Sequence, residues 1–191
     1  MKFKTAIFAS LSGSIAEQMY LKAKQQSTME LPLLITNNTR APFIERMKKY
    51  DEKVHIFNKS KDQEQLIIKF LQAHKIELIF LAGYMQILSP KFIDSYQRKI
   101  VNIHPSLLPK FKGAHGYRDS FNSKDNFGGI TIHYVDEGID TGPIISQVCF
   151  SKEITDSLEI FTRRGKEIEK IFYPQVFEHL VLNRRSLNEK I

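Results

Sequence analysis

Three stretches of the chain carry residue types that do chemistry, and each follows a short apolar run. The first is Asn102-Ile103-His104-Pro105. Residues two apart in a strand face the same side, so Asn102 and His104 can point into one space. The proline behind them ends regular strand pairing. An amide donor beside an imidazole can hold a developing oxyanion and move a proton. The same pair can also be a capping asparagine and a structural histidine. The second stretch is the turn Asp136-Glu137-Gly138-Ile139-Asp140-Thr141-Gly142-Pro143. It reads either as a surface turn or as the source of a carboxylate, Asp140, that orients the imidazole and raises its pKa. His133, alternating with Thr131, either faces the same site or is structural. The third is Ser10-Leu11-Ser12-Gly13-Ser14, a small-residue turn that can offer backbone N–H groups and a helix dipole to an anion, or merely cap a helix.

Other candidates are weaker. The acidic turn lacks the spacing of a calcium loop. His104, His115 and His133 are too dispersed for zinc without supporting ligands, and His55, His74 and His179 read as structural, so no metal is expected. The lone cysteine, Cys149, lies in an apolar run and reads as a small core residue in a protein of a reducing compartment.

These residues need elements to position them. Strand-like runs at 3–9, 31–36, 54–57, 78–82 and 100–103 alternate with helical patterns at 14–26, 41–50, 62–74 and 90–96. Such alternation predicts an α/β fold, doubly wound, with a mostly parallel central sheet and helices on both faces. Ligands in such sheets sit beyond the carboxyl ends of the strands, so the informative residues are expected after Ala9, Ala82 and Ile103. A long loop is expected after residue 105, then strands at 129–135 and 143–150. A helix from 155 to about 182 follows, kinked or restarted at Pro174, ahead of a polar, frayed tail. One domain of 191 residues is expected, with 1–100 as a nucleotide- or phosphate-binding half and 101–182 as the catalytic half. A net charge of +7 from scattered basic residues fits a phosphorylated small molecule better than nucleic acid. No apolar run is long enough for a membrane span, and a cytoplasmic location is expected.

The runs AGYMQILSP (82–90), NIHPSLLPKFKGAHGYRDS (102–120) and GITIHYVDEGIDTGPIISQ (129–147) together resemble the folate-dependent formyltransferases. Within that family they are most similar to the branch that formylates glycinamide ribonucleotide in purine synthesis. The resemblance covers essentially the whole chain and implies 10-formyltetrahydrofolate as co-substrate, with Asn102, His104 and Asp140 as the catalytic trio. It also implies a folate cradle at Met85, Gln86, Ile87 and Leu88 and at Val135, Asp136, Glu137 and Gly138. Ser10, Leu11, Ser12, Gly13 and Ser14 correspond to the family's phosphate loop, and Glu169 to its acceptor-amine residue. On this reading Asp140 keeps His104 charged, and no covalent enzyme intermediate is needed.

The sequence departs from the family pattern at Leu11 and Ile15 in the phosphate loop, at Lys112-Gly113 and at Gln86. Lys59, Lys61 and Lys166 are candidates for the acceptor phosphate. The resemblance also admits a formyltransferase for another amine, a 10-formyltetrahydrofolate hydrolase or a silent folate binder. The protein is expected to be a monomer or homodimer.

Overall fold

The computed structural model describes residues 3–183. Five strands form its parallel part: β1 (Thr5–Phe8), β2 (Leu33–Thr36), β3 (Val54–Ile56), β4 (Leu78–Leu81) and β5 (Ile100–His104). Between them run helices α1 (Ser14–Gln25), α2 (Pro42–Lys48), α3 (Gln63–Ala73) and α4 (Pro90–Ser95). The sheet order is β3-β2-β1-β4-β5, extended by two antiparallel strands, β6 (Phe127–Tyr134) and β7 (Ile144–Ser151).

Strand alternation splits the core in two. Ile7, Leu34, Leu78, Phe80 and Val101 face α1, α2 and the C-terminal helix α6 (Leu158–Asn183). Ala6, Phe8, Ile35, Ile79 and Ile100 face α3 and α4. With helices on both sides, β1 and β4 are buried along their whole length and read as continuous apolar runs. The strand order reverses between the parallel neighbours β1 and β4, and the crevice opens beyond their carboxyl ends at Ala9 and Ala82.

The β5–β6 register matters most for function. Asn102 lies opposite His133, and His104 opposite Thr131. Directly paired residues share a face, so all four side chains project on the same side of the sheet.

Three expectations need correction. The expected loop after residue 105 contains a helix, α5 (Gly116–Asn122), too short for its periodicity to stand out. Its Tyr117 fills the space above Gly165 of α6, where an added Cβ would lie 2.3 Å from the ring. Second, α6 does not restart at Pro174 but continues through it, held by Tyr173 and Phe177, which pack edge-on against Phe80. Third, Cys149 is exposed, because β7 is an edge strand and Cys149 falls on its open side. The polar tail lies outside the described residues apart from Asn183.

His55 and His74 pack against Phe70, and His179 meets Asn183, so none of the three enters the crevice. Among the described residues no helix is long and apolar enough to cross a membrane, and no cluster of three or more His, Cys, Asp or Glu could hold a metal.

Phe177 is fully buried where α6 meets the sheet. Phe177→Ala is expected to lower stability by about 3–5 kcal/mol, the usual cost of emptying such a site. Urea unfolding checks this through a lower midpoint at unchanged slope.

Candidate active site

At the end of β5 four side chains from three parts of the chain meet. His104 Nδ1 lies 3.2 Å from Asp140 Oδ2, and His133 Nε2 lies 3.6 Å from Asp140 Oδ1. Asn102 Nδ2 lies 3.2 Å from His133 Nε2. Asp140 reaches this point because its backbone is left-handed, at φ 52°, in a tight turn. Asp136 Oδ1 organises that turn by accepting hydrogen bonds from Thr141 Oγ1 and the Gly138 amide. The amide of Gly113 donates to Asp140 Oδ2 at 2.8 Å and fixes the carboxylate from the opposite loop.

Ring tautomers follow from partners that can only accept. The Phe111 carbonyl lies 2.8 Å from His104 Nε2, and the Tyr134 carbonyl 2.9 Å from His133 Nδ1. A ring that gives its N–H to that carbonyl turns its other nitrogen toward Asp140. Burial pushes the His104 imidazole below its ordinary pKa, outweighing the pull of the Phe111 carbonyl and of Asp140. The expectation that Asp140 keeps His104 charged at rest is therefore corrected: desolvation wins. Burial also opposes ionisation of Asp140, but His133, the Gly113 amide and the His104 charge hold it below the usual carboxylate range. The site thus favours an ionised Asp140 while burial disfavours a proton on His104.

The loop after β5 is held down by groups the motif reading passed over. Thr131 Oγ1 donates to the Ser106 carbonyl and accepts from the Leu108 amide. Gln147 Nε2 donates to both Thr131 Oγ1 and the Leu108 carbonyl. Ser106, fully buried, donates to the Lys110 carbonyl. Together these bonds fix where the Phe111 carbonyl meets His104. A threonine in a strand gives no sequence signal of that role.

Two cavities bear on the site, and only the smaller is lined by members of this cluster. The smaller, about 150 Å³, is lined by Gln86, Ile87, Leu88, Asn102, His133 and the 135–140 segment. Of the folate positions expected from sequence, Gln86, Ile87, Leu88, Val135, Asp136, Glu137 and Gly138 are on its wall. Met85 is not: its side chain is 67% exposed and its amide is bonded to Ser10 Oγ. Tyr84, in a loop, and Ile93, on α4, were not singled out, since such residues look like ordinary packing. His104 lines neither cavity, lying behind Asn102 and Asp140.

The larger cavity, about 790 Å³, lies between Leu11–Ile15 and α6. Gly13 adopts φ 67°, and the Phe43 ring occupies the space a Cβ would need. The first intrahelical bond of α1 runs from the Glu17 amide to the Gly13 carbonyl, which leaves the earlier amides for a ligand. Arg46 Nε clamps the Ser12 carbonyl at 2.8 Å while its Nη1 pairs with Glu17, which also meets Lys49 and Tyr50. Burial opposes charge on Glu17, but these partners keep its pKa low. Ser10 departs from expectation. It is buried, and its hydroxyl is committed to Asn37 and Met85, so it does not line this cavity.

Glu169 is on the wall of the larger cavity, where it accepts from Tyr117 Oη at 2.7 Å, and desolvation pushes its carboxyl above the ordinary range. Lys166 shares that wall with Arg163 and Lys170, which sequence reasoning did not single out. Lys59 and Lys61 do not reach it.

Fold and site define the class: an α/β protein with two cavities beyond the carboxyl ends of a mostly parallel sheet, the smaller lined by members of an amide–imidazole–carboxylate cluster. The chain belongs to the formyl transferase family, whose sequence profile matches residues 3–177. It is 39% identical over 190 residues to the phosphoribosylglycinamide formyltransferase of Bacillus subtilis strain 168, covering 96% of this chain and 97% of that one. Its fold is similar to the crystal structure of phosphoribosylglycinamide formyltransferase from Bacillus halodurans, with TM-score 0.84 and 39% identity over 93% of this chain and 94% of that one. It is similar also to glycinamide ribonucleotide transformylase 1 from Geobacillus kaustophilus, with TM-score 0.88 and 34% identity over 95% and 100% of the two chains.

The depressed imidazole sets a pH dependence. The unfolded chain protonates His104 near its ordinary value of 6.5, while the folded chain resists until lower pH. Between those two values the unfolded state binds more protons, so this part of the stability is present above pH 6.5 and is lost as pH falls. His104→Gln is expected to flatten the acid side of the stability–pH curve relative to the parent, as measured by urea titrations at a series of pH values.

Proposed function

We infer that this protein transfers the formyl group of 10-formyltetrahydrofolate to the primary amine of glycinamide ribonucleotide, a step of purine biosynthesis. The observation that carries the reading is the meeting of Asn102, His104, His133 and Asp140 at a loop-lined cleft, in a fold that also holds a cavity rimmed with helix amides and cations. Full-length similarity to proteins named for that reaction supports it.

The folate's pterin occupies the smaller cavity, between the 86–88 and 135–138 segments. The acceptor's phosphate meets the α1 amides and Lys166, and Glu169 orients the acceptor amine. The amine nitrogen attacks the formyl carbon, and negative charge collects on the formyl oxygen. One Asn102 N–H is directed at His133; the second is available to that oxygen. A preorganised donor of this kind is worth about 10²–10³ in rate.

The attacking amine must shed a proton, and the Asp140 cluster is short of one. The proton enters there, directly or through a water, and is held between carboxylate and imidazole. In the second half-step the bond between the formyl carbon and folate N10 breaks, and N10 takes a proton back. Charge on His104 is thus transient, as suits a ring whose burial opposes a resting charge. No side chain becomes acylated.

Purified protein is expected to consume 10-formyltetrahydrofolate only when glycinamide ribonucleotide is present, followed by absorbance of the deformylated folate. Consumption without any amine would indicate a hydrolase instead. Asp140→Asn and Asn102→Ala are each expected to cut kcat at least about 10²-fold while the thermal transition stays within a few degrees. Near-parental rates in either would remove the mechanism.

Glu169→Gln keeps the shape of that side chain but removes its charge. It is expected to raise KM for the acceptor amine by about ten-fold and leave KM for the folate in place, the scale of one charge-assisted hydrogen bond. Initial-rate kinetics with each substrate varied in turn test the assignment of amine and folate to separate clefts.

A further inference from the structure

A chain of hydrogen bonds runs from the loop after β1 to the folate cleft, and its direction can be followed proton by proton. The Met85 amide lies 3.0 Å from Ser10 Oγ and can only donate, so Ser10 accepts. Ser10 is buried, and its own hydroxyl proton meets Asn37 Oδ1 at 2.6 Å. A buried hydroxyl proton without an acceptor is costly, which fixes the Asn37 amide with its oxygen toward Ser10. Asn37 Nδ2 then points at Gln86 Oε1, 3.1 Å away. Gln86 therefore spends its oxygen on the protein, and among the described residues no partner takes its NH₂ group. Gln86 is also on the wall of the smaller cavity.

We propose that Asn37 is a positioning residue that sets the polarity of the folate cleft, holding Gln86 so that its NH₂ group faces the cleft as a donor to a carbonyl or carboxylate oxygen of the ligand. Asn37 lines neither cavity. It acts through Gln86 alone. Ser10 acquires a role distinct from phosphate binding: it relays the fixed polarity of a backbone amide to a side chain at the cleft. The proposal rests on the folate reading above and adds which side chain selects for an acceptor oxygen there, and why.

Asn37→Asp tests this with little change of shape. The new carboxylate still accepts from Ser10, but its second oxygen also demands a donor. Gln86 must then turn, give its NH₂ to that oxygen and show its carbonyl to the cleft. Calorimetric titration with tetrahydrofolate is expected to give a Kd raised about ten-fold, the scale of a hydrogen bond replaced by an acceptor–acceptor contact. KM for the acceptor amine and kcat at saturation are expected to stay within about two-fold of the parent. Gln86→Ala is expected to raise Kd by about three- to ten-fold in the parent and by much less in the Asn37→Asp background, because the donor has already been turned away. Asn37→Ala, which frees Gln86 to rotate without adding charge, is expected to fall between the two.

Independent, additive effects of Asn37→Asp and Gln86→Ala would overturn the proposal. So would an unchanged folate Kd in Asn37→Asp, or a parallel fall in thermal midpoint, kcat and affinity for both substrates. If the parent binds no tetrahydrofolate, the folate reading itself fails and the relay falls with it, a result separate from any comparison of variants.

Discussion

The site depends on where one carboxylate is held. Asp140 lies in a turn far along the chain from His104, yet its two oxygens face two imidazoles on adjacent strands. The Gly113 amide fixes it from one side and the left-handed backbone of the turn from the other. Without that restraint a half-buried carboxylate would turn outward to water, and the imidazoles would be left with no charge to share a proton with. The loop after β5, the β5–β6 register and the hydrogen bonds within the 136–141 turn all serve to bring this group to one point.

The electrostatics of the cluster follow from burial more than from pairing. A histidine beside an aspartate is commonly pictured as a standing ion pair. Here each ring has a backbone carbonyl as partner, and burial disfavours a second proton on His104. Such a site costs little to protonate when charge develops next to it, because geometry and acceptors are already in place. Proton transfer during amine attack needs that property, whereas a resting imidazolium would have no room for the proton.

The two clefts are built by different means. Backbone amides, a left-handed glycine and a clamp from Arg46 to the Ser12 carbonyl make the larger one receptive to an anion. Loop side chains and a narrow volume shape the smaller one. Ser10, Asn37 and Gln86 connect the loops that frame them, so neither loop is free to move alone.

By itself the sequence determined the alternation of elements and hence the doubly wound sheet. Strand and helix periodicity are local, and continuous apolar strands such as Leu78–Leu81 leave little choice of environment. It also determined that Asn102 and His104 share a face, because a period of two is a property of any strand. Tertiary structure alone decided the rest. Whether His133 faces Asn102 depends on antiparallel register, which no local pattern encodes. Which way the Asp140 carboxylate points depends on an amide contributed by a distant loop. The charge of His104 depends on how much water the assembled fold excludes, and there the expectation from residue types alone was reversed. Ser10 and Met85 lay in the right motifs, but whether a hydroxyl or an amide is still available depends on the partners that folding brings to it.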